Sequence, residues 1–77
     1  MGKRIVVDAR GSSCPGPIVE LSKAYRNAAV GDVIELWATD PGVKADTQAW
    51  AEKTKNKIES IKEDQDKIII VIDIENR

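Results

Sequence analysis

The stretch Ile68-Ile69-Ile70-Val71-Ile72-Asp73-Ile74 decides the fold. Apart from Asp73 it is an unbroken run of β-branched aliphatic residues, the composition that suits a pleated, buried strand. A near-continuous apolar run predicts a central strand with both faces largely covered. Immediately before it, Asp64-Gln65-Asp66-Lys67 is a polar turn, and Glu59 to Glu63 is a weaker strand candidate. The C-terminal part of the chain therefore reads as a hairpin.

Two further strands and two helices precede that hairpin. Arg4 to Ala9 is short, β-branched and bounded by Gly11, which makes it a buried strand. From Ile18 the apolar residues Leu21, Tyr25 and Ala28 recur at helical spacing, giving a helix with one buried face that ends near Gly31. Val33 to Thr39 is the next strand, with Ile34, Leu36 and Ala38 on one face and Val33, Glu35 and Trp37 on the other. Asp40-Pro41-Gly42 breaks it. A second helix is expected from Val43 to about Lys57, weakly apolar and carried chiefly by Val43, Ala49 and Trp50. The order βαβαββ predicts an α/β (α+β) fold of two layers, with both helices on one face of a four-stranded mixed sheet.

Composition narrows the chemistry. The chain has 77 residues, which is room for one domain, spanning 1–77. It has one cysteine and no histidine, so an internal disulfide, a Cys/His zinc site and Cys–His hydrolysis are all excluded within one copy. No metal or organic cofactor is expected. The formal charge is −1, without the basic excess on which phosphate binding depends. Aromatic residues are only 4% of the chain, too few for a base-stacking platform, so direct nucleic-acid binding is not expected. No stretch is apolar enough to cross a bilayer, and Met1-Gly2-Lys3-Arg4-Ile5-Val6 lacks the core of a signal peptide. The expected setting is cytoplasmic, where a lone thiol stays reduced.

That thiol is Cys14, in Cys14-Pro15-Gly16-Pro17, just ahead of the first helical pattern. Proline suits the first turn of a helix because its φ is already helical and its missing N–H would be unpaired there. The motif thus places Cys14 at or just before a helix N-terminus, whose free N–H groups and dipole favour a thiolate or an anionic persulfide. Gly16 leaves the approach open. On the residues alone, a small apolar filler and a reactive thiolate both fit Cys14. Without a second cysteine, dithiol–disulfide cycling is impossible, and single-sulfur nucleophilic or carrier chemistry remains.

Val7-Asp8-Ala9-Arg10-Gly11 followed by Cys14-Pro15-Gly16-Pro17 resembles the signature of the TusA/SirA family of small sulfur-transfer proteins. The resemblance continues through Gly31-Asp32-Val33-Ile34-Glu35-Leu36, Thr39-Asp40-Pro41-Gly42 and Ala49-Trp50-Ala51-Glu52-Lys53-Thr54. It implies a single sulfur-carrier domain in which Cys14 accepts sulfane sulfur, as a persulfide or as thiosulfate, and relays it. It also implies partner proteins, a sulfur donor and a sulfur acceptor of the desulfurase, rhodanese-like or DsrE-like kind. The sequence departs from the family pattern at Ser12, where an apolar residue is common, and at Lys55, where glycine is.

Several other residues have more than one reading. Arg10 adds positive potential near the thiol, or is a solvated loop residue, or is an ion-pair partner of Asp8. Asp40 and Pro41 either shape the sulfur site or simply stop a strand and start a helix, at the same end of the sheet as Cys14. Trp50 reads as core rather than docking surface, and Trp37 as a partly exposed aromatic and a partner contact. Lys53, Lys55 and Lys57 form either a solvated helix face or a patch for an acidic partner. A regulatory or protein-binding module on the same fold, without sulfur chemistry, is the rival to sulfur transfer.

Overall fold

A computed structural model describes residues 2–11 and 16–76. Its elements are β1 (Arg4–Asp8), α1 (Gly16–Arg26), β2 (Val33–Ala38), α2 (Val43–Thr54), β3 (Lys57–Asp64) and β4 (Lys67–Asp73). The strands form one sheet in the order β1-β2-β4-β3. β1 runs parallel to β2, while β4 is antiparallel to both β2 and β3. The expected βαβαββ order and mixed sheet are both present, but β1 is an edge strand with Arg4, Val6 and Asp8 exposed rather than the buried strand its β-branched sequence suggests.

The core lies between the sheet and the two helices. Ile34, Leu36 and Ala38 of β2 and Ile68, Ile70 and Ile72 of β4 meet Leu21 and Ala28 from the α1 segment and Val43 of α2. The alternation expected for β2 is observed, with Val33, Glu35 and Trp37 on the opposite face. β4 is central, as its apolar run predicts, but only one of its faces lies under helices. On the other face Val71 is held to 9% exposure between its cross-strand neighbours Glu35 and Ser60. A two-layer sandwich leaves that face of the sheet open.

Three elements differ from the sequence expectation by more than one residue at an end. α1 stops at Arg26 rather than near Gly31, because Asn27 and Ala28 donate back to Ala24 and Tyr25, three residues earlier, and tighten the last turn. Gly31, at φ +100°, instead turns the chain into β2. α2 ends at Thr54 rather than Lys57. Lys55 adopts the left-handed conformation and Asn56 donates to Ala51, the 6→1 bond of a Schellman ending. β3 is longer than expected because Ile58 and Ile61 are three residues apart, which hides the strand period. A bulge between Ile58 and Ser60 absorbs the extra residue and turns both isoleucines toward the core.

The buried stripe of α2 is Val43, Thr47 and Ala51 with Trp50 beside it, and Ala49 is exposed. Trp50 is half-buried as expected for a core residue, meeting Tyr25 edge-to-face at 5.2 Å between ring centres.

Candidate functional site

The parallel pairing of β1 with β2 carries both strands to the same end of the sheet, where their loops leave for α1 and α2. Two hydrogen bonds tie these exits together. Ala9 N–H donates to Trp37 O at 2.8 Å, and Gly11 N–H donates to Thr39 Oγ1 at 3.0 Å. The segment leading to the cysteine is thereby fixed against the segment leading to Asp40. Gly11, at φ +84°, is in the left-handed region that glycine occupies without strain.

Cys14 and Pro15 lie outside the described residues, as does Ser12. The next element in the chain is α1, which begins at Gly16 with Pro17 in its first turn. Pro17 is fully buried, so the second proline of the motif packs into the core as well as fixing the backbone.

Asp40 begins the second helix in the way its structural reading requires. Its Oδ1 accepts from Gly42 N–H at 2.9 Å and its carbonyl accepts from Val43 N–H at 3.0 Å, closing the turn that starts α2. Pro41 is exposed at this turn, on the rim of a cleft that also includes Thr39, Gln65, Asp66 and Lys67.

Arg10 is held by Asp8. Its Nε and Nη2 donate to the two carboxylate oxygens at 2.9 and 2.8 Å, and its backbone N–H adds a third bond at 3.2 Å. These hydrogen bonds from Arg10 lower the Asp8 pKa to about 2, so the pair stays ionised at neutral pH. The guanidinium carbon also lies 5.2 Å from the centre of the Trp37 ring. Lys67 approaches the same ring, with its ammonium 4.1 Å from the centre. Trp37 Nε1–H donates to Glu35 Oε2 at 2.5 Å, and Glu35 Oε1 accepts from Arg4. The hydrogen bonds from Trp37 and then Arg4 lower the Glu35 pKa. Trp37 is thus oriented by a carboxylate at its edge and two cations at its ring.

Beside this cluster, Arg10, Thr39, Asp64, Gln65, Asp66 and Lys67 line a cleft of about 190 Å³. The sequence points to Arg10 and Trp37 but offers Lys67 only as a turn residue. Only the β2–β4 pairing brings it beside the tryptophan. Among the described residues, no helix is long and apolar enough to cross a membrane.

Together these features define a small α+β sandwich in which a Cys-Pro-Gly-Pro sequence runs into the first helix. The sequence model of the family described as Sulfurtransferase TusA matches residues 5–74. A putative sulfur carrier protein of Archaeoglobus fulgidus is 37% identical over 68 residues, covering 88% of this chain and 93% of the relative. The sulfur carrier protein TusA of Allochromatium vinosum is 36% identical over 66 residues, covering 86% and 87%. The putative sulfur carrier protein YrkF of Bacillus subtilis is 46% identical over 54 residues, covering 70% of this chain but 29% of that longer protein. The chain belongs to the TusA family.

Proposed function

We propose that this protein is a cytoplasmic sulfur carrier that works through Cys14. The observation that carries the reading is the family match across residues 5–74, which spans the Cys14-Pro15-Gly16-Pro17 motif. The start of α1 at Gly16, two residues after Cys14 in the sequence, supplies the physical support, because a helix N-terminus favours the thiolate over the thiol.

In the proposed cycle the Cys14 thiolate attacks the terminal sulfur of a donor persulfide. A new S–S bond forms at Cys14, the donor's S–S bond breaks, and the donor leaves as a thiolate. An acceptor thiolate then attacks the terminal sulfur of the Cys14 persulfide and restores the Cys14 thiolate. Sulfur moves without net oxidation, so the cycle calls for no metal or redox cofactor. The donor and acceptor are separate proteins, of the desulfurase, rhodanese-like or DsrE-like kind. Thiosulfate is the alternative cargo: attack on tetrathionate would leave a thiosulfate group on Cys14 and expel thiosulfate. Arg10, held by Asp8, and Asp40 and Pro41, in the turn before α2, are the further residues proposed to shape the sulfur site. Trp37, with Arg10 and Lys67 against its ring, is the surface proposed to meet a partner.

Intact-mass measurement after incubation with a cysteine desulfurase and cysteine, or with tetrathionate, tests this reading. The expected result is a gain of one sulfur atom in the first case and of a thiosulfate group in the second, each reversed by dithiothreitol and absent from Cys14→Ser. An unmodified parent protein in both reactions would overturn it.

A further inference from the structure

The sheet has two free edges, and they are built differently. β3, at one edge, carries Lys57, Glu59, Lys62, Glu63 and Asp64 and is broken by the bulge after Ile58. Charges and a bulge are the usual protections against pairing with another chain. β1, at the other edge, is the uninterrupted sequence Arg4-Ile5-Val6-Val7-Asp8. It has no proline, glycine or bulge, and its middle residue, Val6, is 52% exposed.

Backbone direction is decided by the pairing with β2. Lys3 O accepts from Val33 N–H and Ala9 N–H donates to Trp37 O, so the odd-numbered residues turn their polar groups toward β2. Arg4, Val6 and Asp8 therefore turn theirs outward. Among the described residues, no backbone group pairs with that edge.

An antiparallel copy of β1 centred on Val6 satisfies this edge completely. Val6 then faces Val6 of the second copy, and Arg4 faces the second copy's Asp8, twice over by symmetry. All three are outward-directed residues, so each facing pair exchanges both of its N–H···O bonds. Their side chains share the open face of the sheet, because facing residues in antiparallel strands point the same way. The opposite charges thus meet across the joint. Ile5 faces Val7 on the other side, where both pack against the core. Shifting the register by two residues sets Arg4 or Asp8 opposite Val6 and loses the charge match. The side chains of Arg4 and Asp8 keep 59% and 48% of their surface exposed while bound to Glu35 and Arg10, so both remain accessible to a second partner.

We infer that β1 is a self-pairing edge through which two copies of this chain associate about a two-fold axis at Val6. The two sheets become one of eight strands, and the helices of both copies lie on the same side. An edge of five residues buries less area than stable protein interfaces do, so the dimer forms reversibly with concentration. This inference is independent of the sulfur chemistry.

Sedimentation equilibrium on the full chain tests it with a pair of charge variants, each checked for folding by circular dichroism. The parent is expected to show a monomer–dimer equilibrium. Arg4→Asp and Asp8→Arg, measured separately, each place like charges at both facing pairs and should weaken association about tenfold. Mixed in equal amounts, the two variants present acidic ends to basic ends and should associate as tightly as the parent. Val6→Lys, which sets two ammonium groups together at the axis, should be monomeric. The inference is overturned by a parent that stays monomeric up to about 1 mM. It is equally overturned by single variants that associate like the parent, or by a mixture that associates no better than its components.

Discussion

The carboxylate of Asp32 binds the backbone of Lys3, 29 residues away in the chain: Oδ1 accepts from Lys3 N–H at 3.0 Å. Oδ2 accepts from Ala29 N–H at 2.9 Å, within the loop between α1 and β2. One buried side chain therefore joins the start of β1 to the turn that brings β2 alongside it. The two backbone bonds, to Ala29 and then Lys3, lower the Asp32 pKa.

Asp32→Ala leaves both N–H groups without this acceptor and is expected to lower the thermal midpoint by about 5–10 °C. The lowered pKa sets the sign of the pH dependence. Between the folded value and the ordinary one near 4, the unfolded chain binds more protons than the folded one, so stability falls as pH falls through that range. Thermal melts of parent and variant from pH 7 to pH 3 should converge at the acid end. Parallel curves would show that ionisation of Asp32 contributes nothing.

The carboxyl of Glu59, in the bulge of β3, comes within hydrogen-bonding reach of that of Asp73 on β4, and the hydrogen bond and repulsion from Asp73 raise the Glu59 pKa. Here the folded state binds more protons than the unfolded one, so this pair costs stability as pH rises above the ordinary glutamate value near 4.3. Glu59→Gln should therefore raise the midpoint at pH 7 and lose that advantage under acid conditions. A denaturation series in pH reads the difference directly.

Lys55 has φ 62° and ψ 39°, a conformation that costs a side-chain-bearing residue energy that glycine avoids. Lys55→Gly is expected to stabilise the protein by about 0.5–1 kcal/mol in urea denaturation. Lys55→Ala separates backbone strain from charge: it retains the Cβ and should show none of the gain.

Thr47 is fully buried, and its hydroxyl has no hydrogen-bond partner among the described residues. Thr47→Val replaces the hydroxyl with a methyl in an apolar setting and should stabilise by roughly 1 kcal/mol in the same urea series. A loss of stability on this substitution would show that the hydroxyl contributes a bond to the folded state.

Periodicity and turn chemistry were enough to reach the βαβαββ order, the central place of Ile68 to Ile74 and the two faces of β2, because these depend on residues near one another in sequence. The Cys14-Pro15-Gly16-Pro17 motif was legible for the same reason: proline and glycine act on their own stretch of backbone, and α1 duly begins at Gly16. The Asp8–Arg10 pairing, one of the readings of Arg10, also lies within a single turn. Tertiary structure decided what depends on distant segments. Bulge formation at Glu59 recovers a strand whose isoleucines break the period, and α2 buries Thr47 where sequence pointed to Ala49. Lys67 reaches Trp37, and Asp32 reaches Lys3, only once the sheet has paired. The free edge of β1 is likewise a property of strand order, since nothing in Arg4-Ile5-Val6-Val7-Asp8 alone says which side meets a neighbour. Local backbone preference is written residue by residue, whereas a contact between remote segments exists only after the chain has closed the loop between them.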